Sequence, residues 1–153
     1  MSDMKFLKSQ RGLTLFELLA VIVILGIIAA IAVPAIGKVV ENSRIKATKG
    51  EAMVMLEAAQ LYFIETPVKF GREWQAASLP DLVSQGYMES KGYLNTTSYV
   101  TNVNPAKICA KSDGETKVIF YNATAEEISS SKNDIHVGNE ACGDNKEVVP
   151  PTK

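Results

Sequence analysis

The sequence predicts an α+β protein: a long N-terminal α-helix, transmembrane in its first half, packed by its second half on a small antiparallel β-sheet. Three observations carry this. Residues 13–36 are an almost unbroken apolar run. Ile45, Ala52, Leu56, Ala59 and Phe63 then recur at spacings of 7, 4, 3 and 4, which puts them on one helical face. Beyond Ser98 the pattern becomes short β-rich runs separated by polar turns.

The N-terminus has three parts. Lys5, Lys8 and Arg11 make a basic leader, with Asp3 as its only acid. The apolar run that follows exceeds the roughly 20 residues that cross a bilayer core as a helix. It is too long for the h-region of an ordinary secretory signal, about 7–15 residues, although Ala30-Ile31-Ala32 loosely fits a signal-peptidase site. It also contains one acid, Glu17. An ionised residue costs about 2.5–3.5 kcal/mol at the centre of a bilayer on insertion scales, and less towards the edge. Glu17 therefore needs a partner. Cleavage between Gly12 and Leu13 retains the apolar segment and creates an α-amino group, a type that ordinarily titrates at about 7.7–8.0. That amine lies one turn from Glu17, so staggered copies of the helix can pair plus with minus.

The helix is expected to continue through the amphipathic residues 37–66 and to stop at Thr66-Pro67, because a residue before Pro is steered out of α geometry. Gly26 and Pro34 are ordinary in membrane helices. They are also candidate breakers, since Pro removes one backbone bond and crowds the preceding turn. Residues 67–98 read as a connecting region, with Trp74 sealing the core edge. One short helix is expected near residues 79–85, capped by Ser78 and stopped by Gly86. Residues 107–111 and 117–121 read as strands joined by Ser112-Asp113-Gly114-Glu115, and Asp-Gly between apolar runs signals a hairpin. Residues 99–103 and 135–137 are further strand candidates. Residues 129–133 read as a polar loop, and Pro150-Pro151 as a frayed tail.

Cys109 and Cys142 are the two cysteines. On the outer side of a membrane anchor an even pair reads as a disulfide, closing a loop of about 34 residues for roughly 3–4 kcal/mol in the chain-entropy picture. The alternative is two reduced thiols. A disulfide is expected to hold everything from Ser129 onward, where few residues are apolar enough to dock unaided.

No catalytic or metal-ligating pattern is present. His136 stands alone, with no C-x-x-C, H-E-x-x-H, Gly-rich phosphate loop or EF-hand loop. No cofactor and no metal are expected, and the chain does not read as an enzyme. Asn95-Thr96-Thr97 and Asn122-Ala123-Thr124 match the glycosylation sequon, a common chance match. Removal of residues 1–12 takes away three bases and one acid, leaving 13 Lys and Arg against 16 Asp and Glu. Bulk charge gives no argument for nucleic acid, and DNA binding stays open.

Residues 11–19, Arg-Gly-Leu-Thr-Leu-Phe-Glu-Leu-Leu, resemble the class III signal of type IV prepilins and pseudopilins. The resemblance covers roughly residues 8–65 and is most specific over residues 11–34. It implies that a membrane aspartyl peptidase cuts after Gly12 and N-methylates Leu13, a position where the family more often has Phe or Met. It further implies that Glu17 serves assembly and that Gly26 and Pro34 act as helix breaks. A pilin-like fold is implied too, with a disulfide that pins the C-terminal loop to the sheet. The expected organisation is a leader at 1–12, an assembly helix at 13–36, its amphipathic continuation at 37–66 and a globular part at 67–153. The expected partners are further copies of the chain in a helical filament, the prepilin peptidase, a pilus assembly platform and the membrane. The chain is expected in the cytoplasmic membrane first and in a surface filament after assembly. Two other readings are a pseudopilin of a secretion or DNA-uptake machine, and a signal-anchored extracytoplasmic binding domain that never polymerises. A plain anchor gains nothing from Glu17, which argues against the last.

Overall fold

The computed structural model describes residues 14–66 and 75–142. The junction Gly12-Leu13, Trp74 and the tail with Pro150-Pro151 lie outside these. The chain divides into two compact units, Met1–Val39 and Val40–Lys153.

Helix α1 spans Leu15–Glu65. In the first unit, every Leu, Ile, Val and Phe that it contributes is exposed. Apolar residues all round a helix demand an apolar solvent or other helices. The segment is long and apolar enough to cross a membrane. Its helical assignment runs without interruption through Gly26 and Pro34.

The second unit is built on the amphipathic part of α1. Ile45, Ala52, Leu56, Ala59 and Phe63, the face expected from their spacing, are all buried. Tyr62, Met55 and Ala58 widen that face. The helix ends at Glu65, before Thr66-Pro67 as expected. Against it lies a five-stranded sheet in the order β1 (Ala76–Ser78), β2 (Tyr99–Thr101), β3 (Lys107–Lys111), β4 (Ile119–Ala123) and β5 (His136–Val137). Alternation within strands sends Ala77, Val100, Ile108, Phe120 and Val137 to the buried side. Helix α2 (Leu79–Ser84) begins at Ser78, whose side chain accepts the Asp81 N–H. It is followed by Gly86 at φ +84°, so the expected cap and stop are both in place.

Four features depart from the sequence expectation. The fourth strand starts at Ile119 instead of Lys117, because the Ser112 hydroxyl takes the Val118 N–H (2.8 Å) and a register shift separates Ile108 from Ala110. Strand β1, Ala-Ala-Ser, has little β-propensity and exists through its pairing with β2. Residues 125–130 form helix α3 (Ala125–Ser130), where part of a polar loop was expected. Thr124 accepts the Glu127 N–H while Glu127 accepts the Thr124 N–H, a complete capping box. Because α3 carries the chain back across the sheet, β5 runs parallel to β4 and the sheet is only mostly antiparallel.

Phe120 fills the centre of this core and is fully buried. Phe120→Ala is expected to cost about 3–5 kcal/mol through lost burial and the cavity left behind, read as a lower denaturation midpoint of the second unit. A second expectation concerns Glu51. Burial raises its carboxyl above the usual value of 4.5, partly opposed by the Tyr93 N–H that it accepts (2.6 Å). The folded pKa exceeds the unfolded one, so this residue favours folding below the unfolded pKa, and the benefit is lost as pH rises through the folded value. Glu51→Gln keeps the acceptor and removes the titration. Its thermal midpoint is expected to gain on wild type as pH rises from about 4.5; a constant difference contradicts this.

Candidate assembly site

The first turn of α1 is the site to which the sequence points. Thr14 and Glu17 stand three residues apart, which is the spacing of a capping box. The structure forms it: the Glu17 N–H donates to Thr14 Oγ1 (3.2 Å), and the Thr14 N–H (2.9 Å) and hydroxyl (3.0 Å) donate to Glu17 Oε2. Two N–H groups of a helix start that otherwise lack partners are thus satisfied by side chains. Thr14 was not singled out from the sequence, although Thr-x-x-Glu before an apolar run is a legible signal. The carboxylate still has capacity, since an ionised carboxyl offers about four acceptor positions. A cation can therefore join Glu17 without displacing Thr14. Glu17 and its apolar neighbours Leu15, Phe16 and Leu18 all face outward in the isolated chain. Gly12 and Leu13 lie outside the described residues; Gly26 and Pro34 lie on α1, away from this turn in sequence.

One family model matches the chain, that of the prokaryotic N-terminal methylation motif, over residues 7–33. The chain carries a class III prepilin signal. The matched residues hold the basic end of the leader, the Gly12-Leu13 junction, the Thr14–Glu17 box and most of the apolar segment. Such a signal supports a type IV pilin-like or pseudopilin character, implies processing by prepilin peptidase and, with the apolar helix, suggests membrane anchoring. No curated protein and no solved structure matches the chain.

The second unit contributes the disulfide. Cys109 on β3 and Cys142 are bonded, with Cα atoms 5.8 Å apart. Among the described residues no group of three or more His, Cys, Asp and Glu is placed to hold a metal ion. His136 is exposed and stacks on Tyr121, with ring centroids 5.9 Å apart. Both sequon asparagines have engaged amides. Asn95 Nδ2 donates to Asp113 Oδ1 (2.6 Å), and Asn122 Nδ2 donates to the Ala141 carbonyl (3.0 Å).

A prepilin signal read at Gly12 predicts an abrupt effect of a side chain there. Gly12→Val should leave the uncut precursor in the membrane, visible as a larger band on a denaturing gel. Normal conversion to the shorter form would show that the junction lies elsewhere.

Proposed function

We propose that the chain is a structural, non-enzymatic subunit of a type IV pilus filament. In this reading the prepilin peptidase removes residues 1–12, and the helix beginning at Leu13 polymerises with copies of itself on an assembly platform in the cytoplasmic membrane. The finished filament stands on the cell surface. The observation that carries the reading is Glu17, the one ionisable residue in residues 13–36. A membrane anchor needs no such group, and its cost in lipid has to be offset by a partner. Cleavage supplies that partner as the α-amine of Leu13. Within one chain Glu17 already caps its own helix through Thr14. Its remaining acceptor capacity suits the amine of a staggered neighbour, where a charge-assisted bond in an apolar bundle is stronger than one in water. Gly26 and Pro34 then provide the positions at which the helix adjusts during packing.

The alternative is a pseudopilin, which shares the signal and Glu17. Pro34 and the disulfide-held C-terminal segment support the pilin reading. Surface filaments abolished by deletion of the chain, with secretion intact, would distinguish the two.

Glu17→Ala should yield a processed, membrane-inserted subunit that enters filaments poorly, while the second unit folds normally. Glu17→Gln retains the cap acceptor and removes the charge, so it separates ion pairing from capping. Wild-type filament yield from both variants would contradict the proposed role.

A further inference from the structure

The C-terminal stretch of the second unit is held by two anchors of different chemistry. The inner one is Lys49 on α1, 6 % exposed. Its Nζ donates to Ser131 Oγ (2.6 Å) and to the Lys132 carbonyl (2.9 Å). Lys132 sits at φ +46°, and the Asp134 N–H closes the turn on the Ser131 carbonyl (2.9 Å). A left-handed turn that aims two oxygens at one buried ammonium fixes the entry to β5. The Ile119 N–H then donates to the Ile135 carbonyl (2.8 Å), and β5 pairs with β4.

The outer anchor lies over β4 and β3. Gly138, at φ +86°, rests so close to the Tyr121 carbonyl that a Cβ there would collide with it. Asn122 Nδ2 reaches the Ala141 carbonyl, Lys107 pairs with Glu140, and Cys142 is bonded to Cys109. The Lys107 pair is partly exposed and worth little by itself. The covalent bond is therefore the main hold on residues 138–142. Its two sulphurs differ in access: Cys109 is buried and Cys142 half-buried.

We propose that residues 131–142 form a strap with two independent stages, of which thiol reduction opens only the outer one. Reduction would free residues 138–142 and uncover β4 around Asn122, while Lys49 keeps residues 131–137 docked, His136 still stacked on Tyr121. A dithiol carries out the step. Its thiolate attacks the half-buried Cys142 sulphur and expels the Cys109 thiolate. Its second thiol then closes on the mixed disulfide, expels the Cys142 thiolate and leaves the reductant as a cyclic disulfide. The two electrons come from the dithiol. The redox state of the surroundings thus sets whether this strip of the sheet is covered. This narrows the expectation that the disulfide holds everything from Ser129 onward.

Hydrogen exchange and limited proteolysis on the full chain in detergent micelles, with and without dithiothreitol, test the proposal. Reduced wild type should become cleavable by a glutamate-specific protease after Glu140, while residues 131–137 keep their exchange protection. Oxidised Lys49→Met should do the reverse, losing protection in residues 131–135 with residues 138–142 still held. Ser131→Ala, a milder removal of one acceptor, should shift exchange in the same direction as Lys49→Met. Opening of residues 131–142 as one block on reduction, or no opening at all, overturns the proposal, and so does unchanged protection of residues 131–135 in both variants.

Discussion

The second unit depends on one requirement: a single face of α1 must be buried against the sheet. Ala52 and Ala59 are small enough to let the strands approach closely, and Met55, Leu56 and Tyr62 fill the space between them. Burying each large side chain is worth about 1.5–3 kcal/mol. None of strands β1 to β5 exceeds five residues, and strands this short depend on packing their apolar face against such a partner. The loops then attach to the same helix through a few polar contacts. Glu51 accepts the Tyr93 N–H, Tyr87 donates to Glu65, and Lys49 holds the turn before β5. One helix therefore supplies both the core and the fixed points for the irregular segments.

In the first unit, α1 obeys a different constraint. It has no buried face, so its stability rests on lipid or on other helices. One polar demand of its apolar stretch is at the start, and Thr14 with Glu17 meets part of it locally. The same device, Thr124 with Glu127, starts α3 in water. The chemistry is alike, but the surroundings differ. In water such a carboxylate is cheap. At a membrane edge such a carboxylate favours any cation that can reach it, so a charge placed beside Glu17 matters more than one placed beside Glu127.

Much of this was legible in the residues. The spacing from Ile45 to Phe63 names the buried helix face because a helix on a sheet has only one face to bury. Ser78 and Gly86 frame α2 through their own backbone chemistry. The prepilin signal is local, so a short stretch of chain reveals it. The features that were missed depend on partners distant in sequence. Ala76–Ser78 becomes a strand only beside β2. The direction of β5 follows from α3, whose capping box begins at Thr124, the last residue of the Asn122-Ala123-Thr124 sequon match, and whose end overlaps the expected polar loop at residues 129–133. The burial of Lys49 follows from the Ser131–Asp134 turn, which no periodicity announces.

The central claim is that this chain, cut after Gly12, is the repeating subunit of a surface filament. Intact-mass measurement of subunits from sheared, washed filaments tests it most directly. The account predicts one dominant species of residues 13–153 with a methyl group on Leu13 and two hydrogens fewer than the reduced chain, for the Cys109–Cys142 bond. Filaments lacking this chain, or containing it with residues 1–12 attached, would contradict the account.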